Sequence, residues 1–181
     1  MFISVKELEF KKVHFDVAFP PGEIDFVDDG DRLHQASPLQ ANGSAELLPH
    51  TLGEIRVRGH LAVTMRCDCN RCLEPAEFPM DSSFDLFYRP AEVVADEVDE
   101  EAEIDEGEAE IAFYEGGGVE LKDVLREYVL LSMPMQRVCR AECQGICPSC
   151  GQNRNLINCG CEDKFVDDRW SALKKVQVKG T

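Results

Sequence analysis

The chain has 181 residues, of which 35 are acidic and 19 are basic, so its formal charge is −16 at pH 7. Hydrophobic residues make up 44% of the chain, which is enough to bury a core and excludes a wholly disordered protein. The net charge disfavours a general binder of polyanions, and no apolar run approaches the roughly 20 residues of a membrane span.

The N-terminal sequence MFISVKELEFKK lacks the basic start and the apolar stretch of an export signal, so we expect a cytoplasmic protein. Thiols stay reduced in that compartment. The nine cysteines are therefore expected to be metal ligands or catalytic thiols rather than disulfides.

Three segments of the N-terminal half alternate apolar and polar residues, which is the period of a half-buried strand. These segments are residues 11–19, 54–66 and 77–88. Residues 20–43 contain several turn signals, including Asn42-Gly43, and are interpreted as a loop with an uncertain element inside it. The second and third strands flank the first cysteines, which predicts a hairpin with these cysteines at its tip.

About two thirds of the net charge lies in residues 91–110, which contain 11 acidic residues and no basic residue. A block of like charge this dense favours a solvated linker. A docking site for a basic partner is the alternative interpretation. The linker divides the chain into a β-rich region over residues 1–90 and a second region over residues 111–181.

The second region is predicted to begin with a short strand at residues 111–114. Apolar residues at helical spacing then predict an amphipathic helix, and Pro134 ends it: Leu121, Val124, Leu125, Tyr128 and Leu131. A last short helix is expected over about residues 167–177, with Asp167 and Asp168 as N-caps. The expected fold is α+β, with a β-rich N-terminal sheet or partial barrel, one amphipathic helix and a C-terminal cysteine-rich zinc module.

The cysteines form an early group and a late group, and no histidine lies within either. The groups are Cys67, Cys69 and Cys72, and then Cys139, Cys143, Cys147, Cys150, Cys159 and Cys161. The last four provide a Cys-x-x-Cys pair and a Cys-x-Cys pair on a short loop, which suits one tetrahedral zinc. The scattered histidines are expected to be surface or structural residues: His14, His34, His50 and His60.

A second four-thiolate site requires residues that are distant in sequence. Cys69 and Cys72 provide half of a site, and Cys139 and Cys143 can provide the other half, which leaves Cys67 over. The spacing leaves alternatives open: a site of Cys143, Cys147, Cys150 and Cys159, or a site that includes Cys67. A closed four-cysteine zinc site is structural, because a catalytic zinc keeps a position for water. Iron–sulfur ligation also uses four thiolates and is the alternative metal chemistry.

The string Cys69-Asn-Arg-Cys72-Leu-Glu-Pro75 closely resembles the CxRCLxP signature of the YceD family of bacterial proteins. The later motifs follow in a similar order: a Gly-Val-Glu-Leu helix start, Met-Pro134, the late cysteines and an Arg169-Trp170 segment. The resemblance covers most of residues 10–176. It implies a role in large ribosomal subunit biogenesis, through accumulation of 23S ribosomal RNA. Some family members lack the late cysteines, which implies that the second metal site is not required for the shared role.

We therefore expect a non-enzymatic assembly or RNA-maturation factor with one or two structural zinc ions and no small-molecule substrate. Its expected partners are ribosomal RNA, a basic large-subunit ribosomal protein, or both. Residues 132–181 have eight basic and five acidic residues, and the candidate RNA contacts are Arg140, Arg154, Lys164, Arg169, Lys174, Lys175 and Lys179. The alternatives are a zinc-dependent nucleic-acid-binding regulator and a thiol or metal enzyme.

Overall fold

A computed structural model of the chain describes residues 1–26, 33–91 and 111–161. The described part is mainly β-sheet, with few helices. Its strands are β1 (Phe2–Ser4), β2 (Val13–Phe19), β3 (His34–Gln35), β4 (Leu39–Leu47), β5 (Ile55–Asp68), β6 (Pro75–Pro90), β7 (Ile111–Tyr114) and β8 (Gly118–Glu120), and its helices are α1 (Val5–Leu8) and α2 (Leu121–Ser132). No helix in these three ranges is long and apolar enough to cross a membrane.

The larger sheet has the strand order β2-β4-β5-β6-β7, and β3 pairs with β5 outside this path. All of its pairs are antiparallel except β6 with β7, which is parallel. Strands β1 and β8 form a separate two-stranded antiparallel sheet. Within the described ranges the strands form an open sheet and do not close into a barrel.

The predicted strands at residues 11–19, 54–66, 77–88 and 111–114 are confirmed as β2, β5, β6 and β7. The predicted hairpin is also confirmed, because β5 and β6 pair continuously until Asp68 lies opposite Pro75. Residues 69–74 are left to form the tip, so Cys69 and Cys72 lie at the tip as predicted, whereas the prediction was wrong for Cys67, which lies within β5 opposite Ala76. The helix predicted over residues 167–177 lies outside the described residues.

The interpretation of residues 20–43 as a loop was wrong at its C-terminal end, where β4 begins at Leu39. Leu39, Ala41 and Ala45 are buried at alternate positions, as a strand over a core requires. The Asn42-Gly43 pair, interpreted as a turn, lies inside this strand. The tertiary pairing of β4 with β2 and β5 therefore overrides the local turn preference.

The main hydrophobic core of the described residues lies between the larger sheet and α2. Alternate residues of β5 face it, and α2 contributes a stripe with the same burial: Ile55, Val57, Leu61, Leu121, Leu125 and Val129 are each 0% exposed. Burying each such side chain contributes roughly 1.5–3 kcal/mol to folding. The expected apolar face of α2 is confirmed except at Leu131, which is 79% exposed, because the stripe continues through Val129 instead.

Helix α2 is fixed against β6 by Tyr128. The Tyr128 ring lies 5.3 Å from the Phe84 ring, centroid to centroid, and its hydroxyl is 2.9 Å from the hydroxyl of Ser82. These contacts hold the end of α2 beside the hairpin. The chain that follows α2 can therefore return toward the hairpin tip.

Two glycines lie opposite each other in the middle of the sheet, where β4 and β5 approach closely. Gly43 pairs with Gly59, and the core-side rings of Phe15 and Phe84 cover them from the neighbouring strands. A Cβ atom added at Gly59 would lie 2.3 Å from the backbone oxygen of Asn42 and 2.9 Å from Cζ of Phe84. Only glycine fits this crossing without movement of the backbone.

Replacing Gly59 with alanine is expected to lower the free energy of unfolding by about 2–3 kcal/mol, since the new methyl group displaces a backbone oxygen. Gly117→Ala is the matched control, because nothing lies within 4 Å of a Cβ atom at that position. Urea denaturation measures both variants. Equal stability of the two would contradict the close approach of β4 and β5.

Candidate metal centres

Eight cysteines form two clusters in the structure. The first cluster is Cys69, Cys72, Cys139 and Cys143, and the second cluster is Cys147, Cys150, Cys159 and Cys161. Within each cluster all sulfur atoms lie within 4.8 Å of one another. This is the predicted pairing, in which Cys139 and Cys143 complete the site of Cys69 and Cys72. The alternatives, in which Cys143 joins Cys147, Cys150 and Cys159 or Cys67 is a ligand, do not match these clusters.

The first cluster joins the hairpin tip to the segment after α2. The Sγ atoms of Cys69 and Cys143, which are 74 residues apart in sequence, lie 3.8 Å apart. The Sγ atoms of Cys72 and Cys139 lie 3.7 Å apart. Cys69, Cys72 and Cys143 are buried, whereas Cys139 is exposed. This cluster is therefore a long-range connection in which three of the four thiols are buried.

Backbone hydrogen bonds shape the tip so that Cys69 and Cys72 face the same point. The N–H of Leu73 donates to the Cys69 carbonyl, and the N–H of Cys69 donates to the Glu74 carbonyl. Leu73 has a φ of 60°, which is the left-handed conformation that a non-glycine residue rarely adopts. The loop therefore tolerates local strain to bring its two thiols together.

Two backbone hydrogen bonds join the segment after α2 to the hairpin tip. The N–H of Asn70 donates to the Arg137 carbonyl at 2.7 Å, and the N–H of Ile146 donates to the Arg71 carbonyl at 2.9 Å. Gly145 permits the second contact, because its φ is 72° and an added Cβ atom would lie 2.9 Å from the Arg71 oxygen. These backbone hydrogen bonds therefore hold together the two segments that carry the four thiols.

Nitrogen–hydrogen donors point at the sulfurs of the first cluster. The backbone N–H groups of Cys139 and Arg71 donate to Sγ of Cys69 at 3.3 and 3.4 Å. Burial on its own would raise the pKa of Cys69, but these backbone donors and that of Cys72 outweigh it and lower the pKa to about 6. A thiolate is therefore favoured at Cys69 at neutral pH.

Among the other three thiols of the first cluster, the pKa is raised for two and lowered for one. Burial raises the pKa of Cys72 to about 12, and hydrogen bonding with the neighbouring cysteines adds to the rise. Burial likewise raises the pKa of Cys139. Burial opposes ionisation of Cys143, but a hydrogen bond from the Asn155 amide and the N–H of Gly145 lower its pKa. Without a cation the cluster holds thiolates beside thiols, as expected when four like charges cannot coexist.

The second cluster lies on one loop and is more open to solvent. Cys147 is buried, Cys150 is exposed, and Cys159 and Cys161 are partly exposed. The N–H groups of Cys150 and Ser149 lower the pKa of Cys147 to about 6. Hydrogen bonding with Cys150 and Cys159 raises the pKa of Cys161 to about 12. All four thiols come from residues 147–161, so this cluster connects no distant parts of the fold.

Both clusters can hold a metal ion, and their geometry is compatible with zinc. Four sulfurs bound tetrahedrally to zinc at about 2.3 Å lie about 3.8 Å from one another, which matches the 3.7 and 3.8 Å separations in the first cluster. A centre with several irons also needs room for inorganic sulfide between its thiolates. The close spacing therefore favours one metal ion in each cluster.

The remaining cysteine and the histidines lie outside both clusters. Cys67 is 4% exposed and belongs to the main hydrophobic core. None of the metal-compatible groups found in the described ranges contains a histidine. His14, His34 and His50 are exposed, and His60 lies 2.8 Å from a carboxylate oxygen of Asp81. The expectation that the histidines are surface or structural residues is confirmed.

Two of the predicted RNA contacts lie in the described residues, and both belong to the loop beside the clusters. The Arg140 guanidinium donates to Oδ1 of Asn155 at 3.0 Å, while the backbone N–H of Arg154 donates to the Gly145 carbonyl. The other predicted contacts lie outside the described residues: Lys164, Arg169, Lys174, Lys175 and Lys179.

Asn155 is a site residue that the sequence prediction missed. Its side-chain oxygen accepts from Arg140 and from the N–H of Gln144, and its amide nitrogen donates to Sγ of Cys143 and to Asn153. The side chain therefore links the chain between the two clusters to a thiol of the first. Its place between two cysteine pairs, in a loop of asparagines, is the sequence signal that could have identified it.

Replacing one cysteine ligand is expected to change the stability of the protein by different amounts in the two clusters. Cys69→Ser should lower the free energy of unfolding by more than about 3 kcal/mol, because a buried long-range connection is lost. Cys150→Ser should remove one equivalent of metal and leave the cooperative unfolding of the sheet intact. Metal analysis and thermal unfolding of both proteins measure this. Equal losses of stability would contradict the division between the clusters.

Zinc loading of the first cluster is expected to release about two or three protons at pH 7.5 rather than four, because Cys69 is already a thiolate. Below pH 6, where Cys69 becomes protonated, the number should rise toward four and the affinity should fall more steeply. Calorimetry of Cys150→Ser protein in buffers of different ionisation enthalpy measures the count. Four protons at pH 7.5 would contradict the lowered pKa of Cys69.

Comparisons with known proteins identify distant relatives and a family. No solved structure shows a significant match to the chain. Uncharacterized proteins of Mycobacterium tuberculosis and Mycobacterium bovis are 27% identical over 119 residues, which cover 66% of this chain and 54% of theirs. A Zea mays protein named "Large ribosomal RNA subunit accumulation protein YCED homolog 1, chloroplastic" is 24% identical over 140 residues, covering 63% of this chain and 46% of its own.

The chain thus spans about half the length of the curated relatives it matches. The sequence model of the family described as "Large ribosomal RNA subunit accumulation protein YceD" matches residues 57–177. This range begins in β5 and includes all nine cysteines. Because the match covers most of the chain, the resemblance seen in the cysteine strings is confirmed, and the chain belongs to the YceD family.

Proposed function

We propose that this protein is a non-enzymatic factor in large ribosomal subunit biogenesis that supports accumulation of 23S ribosomal RNA and contains two structural zinc ions. The match of residues 57–177 to the family described as "Large ribosomal RNA subunit accumulation protein YceD" is the observation that carries the ribosomal role. The name of the Zea mays relative supports the same role. The two four-cysteine clusters support the zinc ions.

The arrangement of the clusters supports a structural role for the metal. Four thiolates occupy all four coordination positions of a tetrahedral zinc, so no position remains for a reactive water. Cys69, Cys72 and Cys143 are also buried, which keeps a substrate away from the first cluster. The binding energy of zinc would then stabilise the fold, by connecting the hairpin tip to the segment after α2.

We also propose that the protein's partners are components of the ribosome: ribosomal RNA, a basic large-subunit ribosomal protein, or both. The 11 acidic residues of segment 91–110 suit a basic protein. The basic residues of the C-terminal region, Arg140 and Arg154 among them, are the proposed RNA contacts. The division into residues 1–90, an acidic linker and residues 111–181 belongs to this proposal as well.

Deleting the gene is expected to lower the ratio of 23S to 16S ribosomal RNA and the yield of large subunits. The tagged protein should co-sediment with large-subunit precursors in a sucrose gradient and be absent from mature ribosomes. Restoring the wild-type gene should restore the ratio, whereas Cys69→Ser should not, because its fold depends on the first cluster. Cys67→Ala is the matched control, since Cys67 is a buried cysteine outside both clusters.

Normal 23S ribosomal RNA and normal large subunits in the deletion strain would contradict the ribosomal role. Full restoration by Cys69→Ser would leave the ribosomal role standing and contradict the need for the first metal centre. The two results are read from the same RNA measurement.

A further inference from the structure

A surface groove lies between α2 and β7, which is the last strand of the larger sheet in the described ranges. One half of it is a cavity of about 320 Å³ lined by β7, β8 and α2, and the other half is a cavity of about 220 Å³ lined by β6, β7 and α2. The two halves adjoin, because Tyr88 and Glu127 line both. We call the first half the acidic cavity, the second half the apolar cavity, and both together the α2–β7 groove.

Carboxylates dominate the charge of the acidic cavity. Among the described residues that line it there is no lysine, arginine or histidine, but there are four acidic residues: Glu115, Glu120, Asp123 and Glu127. Glu120 pairs with the N-terminal amine of Met1. The other three are exposed and form no ion pair within the described part of the chain. The cavity therefore has negative charge of its own that its described surroundings do not neutralise.

Two aromatic rings are exposed beside these carboxylates. Phe2 of β1 is 55% exposed and Phe113 of β7 is 54% exposed, and both line the acidic cavity. Lysine and arginine suit such a surface, because their cations pair with carboxylates while their apolar stems or charged heads pack on the rings. A phosphate backbone would meet like charge in the same place. The acidic cavity therefore favours cationic side chains over RNA.

The apolar cavity presents aliphatic surface next to the acidic cavity. Leu131 is 79% exposed and Ile111 is partly exposed, and both line the apolar cavity. On α2, Asp123, Glu127 and Leu131 follow one another at intervals of four residues, so they lie on one face of the helix. This face is about 12 Å long from Asp123 to Leu131, which is the length of about four residues of extended chain.

The acidic segment 91–110 is attached to the strands that line this groove. In the parallel pairing of β6 with β7, Phe87 lies opposite Ile111 and Pro90 lies opposite Tyr114. The segment follows Pro90 directly and ends at Ile111, so both ends of a stretch with 11 acidic residues are fixed at the groove. Its charge disfavours this segment as the occupant of an acidic cavity and adds to the attraction for a cationic partner.

We propose that the α2–β7 groove binds a basic segment of a partner protein, with a lysine or arginine about four residues from an aliphatic side chain in an extended chain. The cation would lie among Glu115, Asp123 and Glu127, and the aliphatic side chain would cover Leu131. The inference rests on the proposed function for the source of this segment, a basic large-subunit ribosomal protein.

The test measures binding of individually purified basic large-subunit ribosomal proteins to the full-length, zinc-loaded protein. At least one is expected to bind, more weakly as salt rises. The double variant Asp123→Asn and Glu127→Gln should bind it about fivefold more weakly or worse at low salt. Glu9→Gln with Asp16→Asn is the matched control, because both residues are exposed and lie outside the groove, and the same charge is removed. The control should bind within about twofold of wild type.

Leu131→Ala tests the apolar cavity in the same assay. It should weaken binding by about threefold or more, whereas Leu52→Ala should bind as wild type does, because Leu52 is 65% exposed and lies outside the groove. If Leu131→Ala weakens binding of a protein-free 23S ribosomal RNA fragment and leaves protein binding unchanged, the occupant is RNA. If it lowers the unfolding temperature well below that of Leu52→Ala, the groove is covered by residues 92–110 or 162–181 of the chain itself. Either result overturns the inference.

The inference and the proposed function fail in different measurements. If no basic ribosomal protein binds, or if the two double variants weaken binding equally, the inference is overturned while the fall of 23S ribosomal RNA in the deletion strain still supports the function. If the deletion strain has normal 23S ribosomal RNA, the proposed function itself is wrong, whatever the binding assay shows.

Discussion

The meeting of four thiols from two distant parts of the chain is the constraint on which the rest of the structure depends. Cys69 and Cys143 are 74 residues apart in sequence, yet their sulfurs lie 3.8 Å apart. Four thiolates in that space repel one another, and a divalent cation removes the repulsion. The long hairpin, the α2 helix packed beside it and the backbone bonds at Asn70 and Ile146 all deliver the thiols to this point.

The two clusters differ in what they connect. The first holds the hairpin tip against the chain after α2, so its metal would stabilise the tertiary fold. The second closes only residues 147–161, with Cys147 buried and Cys150 exposed, so its metal would stabilise that loop alone.

The sequence predicted the parts of the structure that follow from local periodicity. Alternation in β5 and β6 and the helical spacing of α2 were sufficient, because each element buries one regular face. It failed at β4, where Asn42-Gly43 has the composition of a turn but Gly43 lies against Gly59. The sequence favoured the observed grouping of the eight cysteines without excluding others, because only the fold brings Cys139 and Cys143 to the hairpin tip. The role of Asn155 could not be predicted, because its four hydrogen bonds depend on a loop conformation that no periodicity encodes.

Amide hydrogen exchange before and after chelation tests the central claim most directly. The N–H groups of Asn70 and Ile146 bond across the first cluster, whereas that of Leu61 belongs to a residue buried in the middle of β5. Removing the metal is expected to accelerate exchange at Asn70 and Ile146 at least tenfold while Leu61 remains protected. Unchanged protection at Asn70 and Ile146 in protein shown to be free of metal would contradict the claim that a metal ion joins the hairpin tip to the rest of the fold.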